Sequence, residues 1–105
     1  MKEYIYTLKL IPKYWDKNNW TDKEDQIISQ HFNKLIHLKA TGSLILAGKT
    51  EAEDETAFGI VIFKSKNDQE AYVIMESDPA VRSGIMTATL REFNVALISA
   101  DNRKK

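Results

Sequence analysis

The chain has no cysteine, which removes disulfides, thiolate nucleophiles and Cys-ligated zinc together. That absence suits a reducing compartment, and a cytoplasmic location is expected. Surplus charge is also missing. Fifteen Lys and Arg balance fifteen Asp and Glu, so the long-range attraction to phosphate that supplies most non-specific nucleic-acid affinity is not provided by the chain as a whole. Long apolar runs are absent too. No stretch approaches the roughly 20 apolar residues of a membrane span. Tyr4 to Ile11 is interrupted by Lys9 and lacks the small-residue cleavage site of a signal peptide. Neither nucleic acid nor membrane is an expected partner. Glycine and proline are scarce, four and two residues, which argues for a folded chain and against a low-complexity one.

What is present is enough apolar material for one core. At 105 residues the chain has the size of a single domain that needs no disulfide or structural metal. The domain is expected over 1–100, with a flexible tail over 101–105. Tyr4 to Ile11 is rich in aromatic, β-branched and aliphatic residues and stops at Pro12, a first strand. A loop with Tyr14, Trp15 and Trp20 follows, either a lid over a pocket or an anchor to the core. Thr21 and Glu24 form a capping box, and Ile27, Ile28, His31, Leu35 and Leu38 recur at helical spacing, with Phe32 and Ile36 on the flank. Gly42 supplies the C-terminal cap. Ser43 to Thr50 and Ala57 to Lys64 read as an antiparallel hairpin across an acidic link, with Gly48 and Gly59 marking a bulge or a close backbone approach. Asn67 or Ser65 can cap a second helix that buries Ala71, Ile74 and Met75. Asp78-Pro79 opens a short further helix, Gly84 ends it, and Thr87 to Ile98 is the last strand, with a bulge near Glu92. The order is βαββαβ: an α+β, ferredoxin-like fold with a four-stranded antiparallel sheet and two helices on one face.

Both sides of the hairpin strands are apolar. Phe58, Ile60 and Ile62 alternate with Val61 and Phe63, and Leu44, Ile45 and Leu46 run without interruption. A sheet face left bare in this way is a liability, so a second copy of the chain is expected to cover it, making a homodimer. RNA-recognition motifs share the βαββαβ order, and Ile5-Tyr6, Leu10, Phe58-Gly59, Val61 and Phe63 fall on their signatures. Ile60, however, replaces an aromatic that would stack on a base, and Thr56 replaces the leading basic residue. Apolar substitution on that face favours a protein partner.

Two residues stand out for chemistry. His31 lies between Ile27 and Leu35 at four-residue spacing, so its imidazole points towards the sheet. It reads either as a core histidine bonded to backbone or as a general acid or base. Asp78 before Pro79 reads either as a helix cap or as the carboxylate that fixes the His31 tautomer. His37, about 240° further round the helix, faces elsewhere and cannot share a metal with His31. Gly48-Lys49-Thr50 looks like the end of a phosphate loop, but the first glycine of that motif would fall on Ser43. Glu51, Glu53, Asp54 and Glu55 lack the glycine and spacing of a calcium loop. Lys9 and Lys49, at strand positions, and Arg82 are further candidates for holding a substrate anion.

HFNKL (His31 to Leu35), GSLILAG (Gly42 to Gly48) and SDPAVRSGIM (Ser77 to Met86) together resemble the YciI-like family, the YCII-related domain, over nearly the whole chain. The resemblance implies a ferredoxin-like fold, a dimeric α+β barrel, and an active site built from a helix-borne His and the Asp of the Asp-Pro motif, here His31 and Asp78. It also implies dehydrochlorinase or isomerase-like chemistry on small aromatic or lactone-like compounds. The chain departs from the commoner pattern in Ala80 after Asp-Pro and in the long Pro12 to Trp20 loop, so the substrate does not carry over. The expected function is a lyase or isomerase with no metal or organic cofactor, in which His31 and Asp78 transfer a proton on a small molecule. The alternative is a dimeric module that binds or senses a small ligand without turning it over.

Overall fold

In the first strand, β1 (Lys2–Leu10), side chains alternate between the two sheet faces, and the even positions are the deeper ones: Tyr4, Tyr6 and Leu8 are buried. The computed structural model describes residues 1–52 and 54–99; the expected tail at 101–105 lies outside the described residues. β1 is central in the sheet order β2-β3-β1-β4, with β2 at Leu44–Lys49, β3 at Gly59–Ser65 and β4 at Met86–Glu92. Each neighbouring pair is antiparallel, and Tyr6 lies opposite Val61 on one side and Leu90 on the other.

One face of this sheet carries the core. Tyr4, Tyr6, Leu8, Val61 and Phe63 pack against Leu35 and Leu38 of α1 (Asp22–Ala40) and against Ala71 and Met75 of α2 (Asp68–Glu76). The single cluster shows that both helices cover the same face, as expected. Pro12 ends β1 and starts one of two short 3-10 turns, Pro12–Trp15 and Lys17–Asn19. Here the two readings of the aromatic loop separate. Tyr14 is buried, its hydroxyl donates to Glu24 at 2.9 Å, and its carbonyl accepts from the Trp20 indole at 3.1 Å. Tyr14 and Trp20 are anchors, whereas Trp15 is exposed.

The helix ends follow their sequence signals. Thr21 and Glu24 form the capping box. At the other end Ser43 N–H donates to the Leu38 carbonyl and Gly42 N–H to that of Lys39, with Gly42 at φ +82, a Schellman cap that only glycine adopts without strain. Asn67, not Ser65, caps α2. Asp78 caps the one-turn α3 (Pro79–Arg82).

Two expectations are corrected. The last strand stops at Glu92, well short of Ile98, because β1 has only Lys2 and Glu3 beyond the Tyr4–Glu92 pair to offer it. Past that point Phe93 N–H reaches the Glu3 carbonyl and Val95 N–H the Glu3 carboxylate. The bulge lies between Leu44 and Leu46 in β2. Gly59 is the close approach instead, since a Cβ there would stand 3.3 Å from the Gly48 carbonyl oxygen.

Candidate active site

A carboxylate with no solvent exposure must have its oxygens satisfied by the protein, and Asp78 is fully buried. Its position follows from local chemistry. Pro79 forces an extended conformation on the residue before it, and Asp78, at φ −63 and ψ 124, turns its side chain back to accept the Ala80 N–H at 3.0 Å. The same oxygen meets His31 Nδ1 at 2.6 Å, and the other accepts the Tyr6 hydroxyl at 2.7 Å. One side chain therefore caps α3 and bonds His31 as well.

Three separate elements converge on this carboxylate. β1 supplies Tyr6 from the buried register of a central strand. α1 supplies His31 from the face that also buries Leu35 and Leu38. The α2–α3 junction supplies Asp78. Because the Ala80 amide and the Tyr6 hydroxyl both donate, the carboxylate acts as an acceptor, and the network assigns the His31 proton to Nδ1. That leaves the lone pair on Nε2. Among the described residues Nε2 has no hydrogen-bond partner and no buried side-chain nitrogen or oxygen is left unpartnered, so Nε2 reaches solvent. The His31 side chain is 13% exposed. Burial pushes the Tyr6 phenol well above its ordinary value, and the adjacent Asp78 charge and hydrogen bond push it further. Tyr6 therefore stays a donor through the neutral range.

Next to this triad stands Lys34, one turn along α1 from His31. Its ammonium donates to the Ser77 hydroxyl oxygen, while Ser77 donates its own proton to the Ile74 carbonyl at 3.0 Å. Burial lowers the Lys34 pKa, partly opposed by the Asp78 charge.

The other sequence candidates fall apart in space. Lys9 is at an odd position of β1 and so projects from the face opposite Tyr6; it is exposed. Lys49 is exposed at the end of β2, opposite Gly59, and Arg82 is exposed at the end of α3. Among the described residues none of these three side chains bonds to His31 or Asp78. His37 is exposed. Two surface clefts lie away from the pair, one around Lys2, Glu92 and Phe93, the other on α2 around Gln69 and Val73.

The family model of the YCII-related domain matches residues 8–94. The chain belongs to the YCII-related domain family. Among solved structures this YCII-related chain is similar to 5-chloro-2-hydroxyhydroquinone dehydrochlorinase (TftG) from Burkholderia phenoliruptrix AC1100, in complex with 2,5-dihydroxybenzoquinone. The TM-score is 0.66 at 15% identity, over 88% of this chain and 93% of that one. It is also similar to the uncharacterized protein TM1266 from Thermotoga maritima, with a TM-score of 0.51 at 16% identity, over 89% and 98% of the two chains. At these identities the likeness is one of fold. No curated protein matches the chain.

Two residues of this YCII-related site escape a reading of the sequence. Tyr6 had a signal: a tyrosine in the buried register of a central strand needs a partner for its hydroxyl. Lys34 had a weaker one, a lysine three residues from His31 on an otherwise apolar helix face.

Proposed function

We propose that this protein is a small-molecule enzyme of the lyase or isomerase type, with His31 as the general acid-base and Asp78 as the group that orients it. The observation that carries the proposal is the 2.6 Å contact between His31 Nδ1 and a fully buried Asp78 that Tyr6 and Ala80 hold from two further directions. A histidine fixed in this way presents one tautomer, its Nε2 lone pair outward, with a negative charge behind it as the imidazolium forms. In an elimination Nε2 takes a proton from the substrate as a leaving group departs from a neighbouring atom; in an isomerisation the same proton returns at a different atom. Help of this kind contributes typically ~100- to 10,000-fold. The fold likeness to a dehydrochlorinase is consistent with such chemistry.

The second part of the proposal is a homodimer. Ile5, Ile60 and Leu46 share the sheet face that the helices leave open, and Leu46 is 47% exposed there. A second copy laid on this face would remove the patch from water.

The test starts with a thermal-shift screen of small acids, phenols and quinones, with 2,5-dihydroxybenzoquinone and 5-chloro-2-hydroxyhydroquinone included. Compounds that raise the melting temperature are assayed for turnover with the wild type and His31→Asn. Turnover is expected to fall at least about 100-fold in the variant while the thermal shift persists. Equal turnover by both proteins overturns the assignment, and ligands that bind without any turnover make the chain a binding module.

A further inference from the structure

His31 and Lys34 lie three residues apart on one face of α1, where side chains are neighbours. Each is tethered by one end to consecutive residues of the α2–α3 junction: His31 to Asp78, Lys34 to Ser77. Each keeps its other capacity open. His31 retains the Nε2 lone pair. Lys34 has three ammonium donors, of which Ser77 takes one. Ser77 is locked in turn, because its own proton goes to the Ile74 carbonyl, so its oxygen is oriented to accept. Lys34 is not a simple counter-ion for the buried carboxylate. Asp78 is bonded by His31, Ala80 and Tyr6, and among the described residues Lys34 makes no ion pair. A half-buried cation with unused donors, one turn from a base, is built to receive negative charge.

We propose that Lys34 is the anion-holding residue of this site, and that the ligand is a small phenol or enolisable carbonyl compound whose oxyanion, formed as His31 Nε2 takes its proton, is held by the Lys34 ammonium. The inference rests on the acid-base reading of His31. As Nε2 accepts the proton, the electron pair it leaves settles on the ligand oxygen, and the Lys34 N–H groups stabilise the charge there. The burial that lowers the Lys34 pKa also strengthens its attraction for an anion, since less water competes for its donors. Lys9, Lys49 and Arg82 do not fill this role, because none of them is tethered at the junction.

Equilibrium binding to the folded protein separates this inference from the catalytic one. The probes are 4-nitrophenol, whose phenolate form is coloured, and 4-nitroanisole, its uncharged counterpart. The wild type should bind the phenolate at least about tenfold more tightly than the anisole, with a rise in phenolate absorbance on binding, as a charge-assisted hydrogen bond requires. Lys34→Met should lose that preference and the absorbance rise, and Lys34→Arg should keep most of both. Circular dichroism confirms that each variant is folded, and Lys34→Gln repeats the test if Lys34→Met is not. Lys34→Met binding phenolate like the wild type, or a wild type that binds neither probe or both equally, overturns the role of Lys34. Failure of the His31 reading shows separately, as turnover that survives His31→Asn.

Discussion

Asp78 illustrates how one side chain meets several bonding demands together. It caps α3 through Ala80 and faces His31 and Tyr6 with the same two oxygens. Removing a single donor should therefore be felt in stability as well as chemistry. Tyr6→Phe leaves one buried oxygen of Asp78 without its hydroxyl partner, and we expect a loss of about 1–3 kcal/mol in urea unfolding. The alkaline limb of stability should change as well. Tyr6 titrates above the ordinary 10.0 when folded, so the unfolded chain loses this proton first. Its contribution is complete below pH 10 and is lost as pH rises beyond it. Stability measured between pH 9 and 12 should fall less steeply in Tyr6→Phe than in the wild type. Some slope remains, because burial and the hydrogen bond to Asp68 push Tyr4 up to about 12.

At the scale of elements, helix ends and strand ends decide where the residues of the candidate site sit. α1 starts at a capping box whose Glu24 also accepts from the Tyr14 hydroxyl, joining the helix start to the preceding loop. Thr21→Ala should cost about 1 kcal/mol by thermal or urea unfolding. The hydrogen bonds from the Thr21 side chain and backbone, then from Tyr14, hold the Glu24 carboxyl down to about 2 from its ordinary 4.5. A depressed carboxylate stabilises the fold above the unfolded value and stops doing so as pH falls through the folded one. The wild type should therefore lose stability between pH 4.5 and about 2, and Glu24→Gln should flatten that part of the curve. Most of these elements were legible in the sequence because caps, Pro and Gly act within a few residues. β4 was not. Its apolar pattern continues to Ile98, but the ladder with β1 stops at the Tyr4–Glu92 pair, and β1 holds only Glu3 and Lys2 beyond it.

For the molecule as a whole, the sheet has two faces with different fates. The helices bury one, and the other presents Ile5, Leu46 and Ile60 beside Thr7 and Thr89. If a second copy covers this face, Leu46→Lys should weaken the assembly by placing a charge in an apolar interface. Light scattering at micromolar concentration should then give a dimer for the wild type and a smaller average mass for the variant. A monomeric wild type ends that proposal. Net charge is a second property of the whole chain. With fifteen charges of each sign and a pI near 6.7, solubility should be lowest close to neutral pH and rise to either side, as turbidity would show.

The sequence by itself determined the order of elements, the burial of one face of each helix, and the place of His31 on an apolar helix face and of Asp78 at a helix cap; the family resemblance singled the two out as a pair. Those features depend on periodicity and capping, which are local. Only the tertiary structure decided that the two residues meet. They are separated by 47 positions, and Tyr6 by 72 from the same carboxylate. No spacing rule links residues so far apart. Their contact comes from β1 lying at the centre of the sheet, with α1 and the α2–α3 junction packed over it. The same packing set Lys34 beside Ser77 and sent Lys9 to the far face, a distinction that follows from strand register and helix placement and that a list of lysines does not contain.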